Sequence, residues 1–132
     1  MQEIRVKDEI IARKIAADDW KPGLSFFSKD EELIQVGSWV YDEGKALMRH
    51  IHNEASRQVP RTQEVLYVRK GSLEATIYDM QEHEVARLEV KAGEVLILLN
   101  CGHGYRILEN DTQVLEIKNG PYLGADADRR RF

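Results

Sequence analysis

Short apolar runs separated by glycines and polar turns predict a succession of β-strands. Residues 63–68 and 73–78 are apolar-rich runs on either side of a tight turn at Lys70-Gly71. Residues 94–99 (EVLILL) form a continuous apolar run, which is typical of a strand buried on both faces. The other predicted strands are residues 24–27, 33–41, 84–90, 104–108 and 113–118. Their spacing predicts an all-β single domain, either a sandwich or a barrel.

The two ends of the chain are less regular. Ile10, Ile11 and Ile15 fit one face of a helix, but residues 4–15 can equally form a strand pair around Lys7-Asp8. We favour strands, because everything downstream is predicted to be β. Residues 120–132 have no apolar periodicity, so we expect an extended C-terminal arm.

Composition and charge are those of an ordinary globular domain covering residues 1–132. Hydrophobic residues make up 42% and charged residues 32% of the chain, and the net charge is −4, which argues against a nucleic-acid partner. No run approaches the roughly 18 apolar residues of a membrane span, and the N-terminus has charges where a signal peptide would need its apolar core. The single cysteine, Cys101, excludes an intramolecular disulfide. We therefore expect a cytoplasmic protein without a membrane partner.

Three of the four histidines occupy positions where a metal site could form. His50 and His52 are two residues apart, so on a strand both side chains would leave the same face. Glu64 opens the next strong strand, and His103 follows the EVLILL run. Three imidazoles and one carboxylate are a suitable ligand set for a divalent transition metal.

The spacing Gly44-x5-His50-x-His52 followed by Glu64-x6-Gly71 resembles the first sequence motif of the cupin family. The gap between His52 and Glu64 has eleven residues, where the usual motif has three or four, so residues 53–62 are expected to form a lengthened loop at the barrel mouth. The second motif is represented loosely by Gly93 and the stretch up to His103. Together the motifs cover residues 44–107.

Further stretches resemble short single-domain cupins associated with bacterial polysaccharide biosynthesis. They are residues 62–71 (TQEVLYVRKG), 100–109 (NCGHGYRILE), 118–124 (KNGPYLG) and 128–132 (DRRRF). The resemblance implies a cupin-type jelly-roll β-barrel that holds one divalent ion (Fe, Mn, Ni or Zn). It also implies His50, His52, Glu64 and His103 as the metal ligands.

Several residues near the motifs are candidates for binding a substrate. Arg57, Arg61 and Arg106 could hold a carboxylate or phosphate, and Tyr105 could stack on a sugar ring or donate a proton. Surface arginines and strand tyrosines more often have no such role. Glu54 could compete with Glu64 as the carboxylate ligand, whereas we expect His83 to be solvated and Cys101 to be a small buried residue.

The leading functional hypothesis is a metal-dependent enzyme acting on a small polar metabolite, a sugar or sugar derivative. The alternatives are a metal-containing carbohydrate-binding module without catalysis and a metal-free sugar-nucleotide isomerase with a histidine base. Leu47, Ile51, Val65 and Tyr67 are predicted to lie on the face opposite the ligands. That apolar face needs a cover, either the N-terminal strands or a second subunit, so a homodimer is expected.

Overall fold

A computed structural model describes residues 1–132 as an all-β protein, which confirms the predicted class. It contains ten strands and one helical turn, α1 (Ala125–Asp128). The strands are β1 (Gln2–Val6), β2 (Glu9–Ile15), β3 (Gly23–Phe26), β4 (Gly37–Val40), β5 (Glu64–Lys70), β6 (Ser72–Tyr78), β7 (Glu84–Lys91), β8 (Val95–Leu98), β9 (Gly102–Ile107) and β10 (Gln113–Lys118). No helix of the protein is long and apolar enough to cross a bilayer.

The strands form three antiparallel sheets. Sheet I has the order β1-β2-β8-β5-β10, sheet II has the order β7-β6-β9, and β3 pairs only with β4. The strand pair predicted around Lys7-Asp8 is confirmed as β1 and β2, and the helical alternative for these residues is wrong. Lys7 has a positive φ of 53°, as a tight reversal between two strands requires.

Sheets I and II pack face to face around one apolar core. Alternate residues of each strand point to this side, so every second position is apolar. Sheet I contributes Ile4, Ile11, Leu66, Val68, Leu96 and Leu98, and sheet II is represented by β6 and β7 through Leu73, Ala75, Ile77 and Val90. No strand pair joins the two sheets. Side-chain packing in the core and the loops that connect strands of the two sheets therefore hold them together.

The opposite face of sheet I is also buried over β2, β5 and β8. Val65, Val95 and Ile97 lie in a second apolar cluster, which is covered by Phe27, Ile34 and Val36. The EVLILL run is thus buried on both faces, as predicted from its continuous apolarity. The sequence analysis expected the N-terminal strands or a second subunit to cover this face. Residues 27–36 supply part of that cover.

A buried charge fixes this cover to the sheet. Arg13 of β2 is 1% exposed and donates a hydrogen bond of 2.6 Å to the carboxylate of Glu32, with Glu3 3.4 Å away. The hydrogen bond to Glu32 raises the pKa of Arg13, so the guanidinium stays charged. Gln63 adds two uncharged links, because its side chain accepts from the Ile34 N–H and donates to the Leu99 carbonyl. Residues 28–34 are therefore held by polar contacts as well as by apolar ones.

The turn between β5 and β6 carries the chain from sheet I to sheet II. Gly71 has a φ of 74°, and a Cβ at this position would collide with Thr112. Only glycine combines that backbone conformation with so close an approach. The predicted Lys70-Gly71 turn is therefore confirmed, and it sets the relative position of the sheets.

The segment before β5 differs from the sequence-based prediction. Residues 41–63 contain no strand, and the only main-chain hydrogen bond within residues 41–62 runs from the Lys45 N–H to the Asp42 carbonyl. The predicted strand geometry around His50 and His52 is therefore wrong, because no neighbouring strand pairs with this backbone. Ile51 is 93% exposed rather than facing a partner. Likewise, the strand expected over residues 33–41 is shortened to β4.

We expect Glu32→Ala to destabilise the protein by about 3 kcal/mol, because it leaves the buried Arg13 guanidinium without its main partner. The free energy of unfolding in urea measures this effect. Glu31→Ala, at the exposed neighbouring position, is the matched control and should change stability by less than about 0.5 kcal/mol. Equal stabilities of the two variants would show that the ion pair does not hold the cover.

Candidate functional site

The candidate site lies where β5 and β10 of sheet I face β9 of sheet II. In the register of sheet I, Glu64 pairs with Lys118, and both lie on the core side because Glu64 alternates with Leu66 and Val68. In sheet II, His103 pairs with Ile77 and Tyr105 pairs with Ala75, whose side chains are in the same core. The two registers therefore bring polar side chains from opposite sheets to one place.

Glu64 is the centre of this group. Its side chain is 6% exposed and accepts a hydrogen bond of 3.0 Å from the Tyr105 hydroxyl. The Lys118 Nζ lies 3.3 Å from the carboxylate, and the His103 Nε2 lies 3.7 Å from it. A buried carboxylate needs such partners, because an isolated charge in an apolar core is strongly unfavourable. This cluster of Glu64, His103, Tyr105 and Lys118 is called the inner cluster below.

The environment of the inner cluster sets the protonation of its members. Burial lowers the pKa of His103 more than the negative charge of Glu64 raises it, so the imidazole is neutral at pH 7. Burial and the neighbouring Glu64 raise the pKa of Tyr105, which keeps the phenol protonated. Hydrogen bonding to Glu116, followed by the charge of Glu64, raises the pKa of Lys118. The cluster thus contains a neutral imidazole, a protonated phenol and a lysine held in its charged form.

A cavity of about 820 Å³ opens beside the inner cluster. Its walls include all four members of the cluster and Cys101, the loop residues Pro60, Arg61 and Thr62, and the end of the chain from Asp128 to Phe132. This volume lies within the range of small-molecule sites in proteins, about 300–1,000 Å³. The cavity is therefore large enough for a metabolite of the size of a sugar derivative.

The structure brings together only part of the predicted site. Glu64, His103 and Tyr105 meet in the inner cluster, and Arg61 lines the cavity. His50 and His52 contact one another, with ring centroids 5.0 Å apart, but both are exposed and neither lines the cavity. No group of three or more His, Cys, Asp or Glu side chains is arranged to hold one metal ion.

The remaining candidates lie away from the cavity. Arg57 is exposed, and the one hydrogen bond of its side chain goes to the Ala55 carbonyl at 3.5 Å. Arg106 neighbours Tyr105 on β9, so its side chain leaves the other face of sheet II, where it pairs with Glu74 at 3.3 Å. His83 is exposed and pairs with Asp79 in the turn before β7, as expected for a solvated histidine.

Sequence reasoning missed the place of Lys118 in the cluster, the packing of the predicted C-terminal arm against the cavity and the helical turn α1 within that arm. Lys118 pairs with Glu64 in the register of β10 against β5. The sequence alone does not give that register. The arm at Arg129–Phe132 has no apolar period, so no sequence pattern indicates where it packs. Both depend on pairing between distant parts of the chain.

Comparisons with protein-family models, with curated proteins and with solved structures found no match to this chain. The functional argument therefore depends on the geometry of the inner cluster and on the motif spacing.

We expect Cys101 to react slowly with thiol reagents in the folded protein. Burial, followed by the charge of Glu64, raises the pKa of its thiol to about 12, so little thiolate exists at pH 8.5. Iodoacetamide at pH 8.5 with a chelator present should alkylate it at least about a hundredfold more slowly than in urea-unfolded protein. The rate is measured by mass spectrometry of the alkylated peptide.

The control is Ser56→Cys in a Cys101→Ser background, since position 56 is exposed in the segment before β5. Its thiol should react at the same rate in folded and unfolded protein. A folded-state rate for Cys101 equal to that of the control thiol would contradict the burial of Cys101 beside the cavity.

Proposed function

We propose that this protein is a cupin-type jelly roll that uses one divalent metal ion to act on a small polar metabolite, a sugar or sugar derivative. The observation that supports this most directly is the inner cluster. A buried carboxylate, a neutral imidazole and a phenol from two different sheets line one open cavity of about 820 Å³. Structural ion pairs rarely need a cavity, whereas a reaction or a ligand does.

The residues present fit a metal ion in part. Glu64 and His103 already face each other, and a carboxylate with an imidazole is a donor pair that Fe, Mn, Ni and Zn all accept. His50 and His52 are also adjacent to each other, and a chain of eleven residues joins His52 to Glu64. Such a chain can span up to about 36 Å, so both histidines can reach the inner cluster without disturbing a strand.

Binding of the ion would then be coupled to ordering of residues 41–60. These residues make almost no main-chain hydrogen bonds of their own, so little structure has to be broken when they move. The free energy of coordination would compensate for the conformational entropy that the segment loses. His50, His52, Glu64 and His103 are the proposed ligands.

The bound ion would supply Lewis acidity towards a substrate oxygen. The chain's own groups would manage the proton and the position of the substrate. Tyr105 holds its proton against Glu64 and can donate it to an oxygen that enters the cavity. Lys118 offers a positive charge beside the carboxylate, and its bond of 2.8 Å to Glu116 fixes its position.

One observation favours a second candidate, the metal-free isomerase. The rings of His103 and Tyr105 lie with centroids 5.1 Å apart, and Glu64 contacts both side chains. A neutral imidazole beside a carboxylate can accept a proton and return it at a different atom, and the phenol can donate a hydrogen bond to a substrate oxygen. This arrangement needs neither His50 nor His52.

We expect His50→Ala and His52→Ala each to lower the metal content of protein purified without an affinity tag by at least about tenfold, as loss of one ligand from a four-ligand site should. The measurement is elemental analysis of the purified protein. His83→Ala is the matched control, because His83 is an exposed histidine that does not line the cavity. The metal-loaded protein should also exchange amide hydrogens more slowly over residues 41–60 than chelator-treated protein does.

Equal metal content in all three variants would exclude the proposed ligand set. Metal-free protein that still converts a sugar nucleotide, and loses this activity in His103→Gln, would establish the second candidate instead. Metal-loaded protein that binds a sugar without forming product would indicate a carbohydrate-binding module.

We also propose that two copies of the chain associate through the uncovered part of the outer face of sheet I. Leu115 and Ile117 of β10 pair with Tyr67 and Val65, so they continue the apolar face that residues 27–36 cover. They are 54% and 47% exposed, respectively. A second copy of the same strand is a self-complementary cover for such a face.

Light scattering at micromolar concentration should therefore give twice the chain mass of 15.2 kDa. Leu115→Lys combined with Ile117→Lys should yield the monomer, because each lysine would be desolvated in the interface. Gln113→Lys, at the exposed start of the same strand, should leave the dimer intact. A wild-type mass of 15.2 kDa would refute the association.

A further inference from the structure

The C-terminal arm forms one wall of the cavity, and three separate contacts hold it there. The Phe132 ring packs edge-on against Tyr78, with centroids 5.2 Å apart and planes at 88°, and it also covers Gly102. Arg130 forms an ion pair with Glu82, and Asp128 accepts a hydrogen bond of 2.6 Å from the Thr62 hydroxyl. An arm held by a ring, an ion pair and a hydrogen bond has a defined position beside the cavity.

The arginines of this wall differ in their partners. Arg130 pairs with Glu82, but Arg129 and Arg131 form no ion pair and no side-chain hydrogen bond. Arg61, on the loop before β5, is a third cavity-lining arginine whose side chain has neither. The acidic side chains of the same cavity are already engaged: Glu64 with Lys118, Asp79 with His83, Glu82 with Arg130, and Asp128 with Thr62.

Three exposed arginines whose side chains form no ion pair or hydrogen bond therefore line a cavity in which each carboxylate already has a partner. The cavity lining carries five basic and four acidic side chains, a net charge of +1, whereas the net charge of the whole chain is −4. Guanidinium groups bind carboxylates and phosphates through paired N–H donors, and they keep their charge at every physiological pH.

We propose that Arg61, Arg129 and Arg131 bind an oxyanion, a phosphate or carboxylate group of the small metabolite that enters this cavity. This assignment builds on the proposed function, since it names the charge class of the same ligand. The neutral, hydroxyl-bearing part of the ligand would lie towards the inner cluster, and its anionic group would lie at the arm. The C-terminal arm is then a specificity element as well as a wall.

The test is calorimetric titration of the full-length protein with four probes: inorganic phosphate, glucose 6-phosphate, glucuronate and glucose. We expect at least one of the charged sugars to bind about tenfold more tightly than glucose, with an affinity that falls as salt is added. Comparing the affinities for inorganic phosphate and glucose 6-phosphate with the affinity for glucuronate distinguishes a phosphate site from a carboxylate site. Equal affinities for charged and neutral sugars, or no binding of any charged probe, would overturn the assignment.

Variants then locate the bound anion. Arg129→Gln combined with Arg131→Gln should lower the affinity for the charged probe by roughly tenfold for each guanidinium removed. Arg61→Gln should lower that affinity by about tenfold. The matched control is Arg5→Gln with Arg87→Gln, which removes the same charge from two exposed arginines outside the cavity that are paired with Glu3 and Glu84. An equal loss in the control would show that only the overall charge matters and would refute the site.

Two further variants test the role of the arm itself. Phe132→Ala keeps every arginine but removes the ring that packs on Tyr78, so the charged probe should bind several-fold more weakly. Unchanged affinity in this variant would contradict a role for the docked arm. His50→Ala with His52→Ala should lower metal content but leave phosphate binding intact. Phosphate binding that is lost in this histidine variant and kept in the arginine variants would place the anion on a metal ion and exclude the arm.

Discussion

Burial of sheet I on both faces is the constraint on which the rest of the structure depends. In β8, Leu96 and Leu98 enter the core shared with sheet II, and Val95 and Ile97 enter the cluster on the opposite side. A sheet of this kind needs two covers, because uncovered apolar side chains would remain in water. Sheet II provides one cover through apolar contacts. Residues 27–36 provide the other, and the buried ion pair between Arg13 and Glu32 gives that cover a unique position.

The inner cluster uses the rigidity that this arrangement creates. Glu64 is the first residue of β5, a strand with hydrogen-bonded neighbours on both sides, so its backbone has little freedom. A carboxylate placed there is buried at a free-energy cost that Tyr105, Lys118 and His103 together offset. A leucine at the same position would need no partners. The polar cluster therefore costs the core desolvation free energy that an apolar residue at this position would not.

Sequence patterns predicted the parts of the fold that depend on local alternation, and missed those that depend on distant pairing. The continuous apolar run of β8 and the glycine of the β5–β6 turn were sufficient to place both elements. His50 and His52 show the limit of this reasoning, since their spacing fits a strand but no neighbouring strand pairs with them. Within the site, Glu64 and His103 were identifiable from motif spacing. Lys118 depends on the register of β10, and Arg129 and Arg131 depend on where the end of the chain packs.

The inner cluster is divided between two sheets that share no strand pair. Glu64 and Lys118 belong to sheet I, and His103 and Tyr105 belong to sheet II. A molecule that contacts both halves binds the folded protein in preference to the unfolded chain, because the two halves meet only when the sheets are packed. Such a molecule stabilises the folded state in proportion to the logarithm of its concentration above its dissociation constant. A rise in melting temperature that is lost when a cavity residue is replaced therefore reports occupancy of the cavity, so a library of unlabelled metabolites can be ranked by thermal shift before any reaction is known.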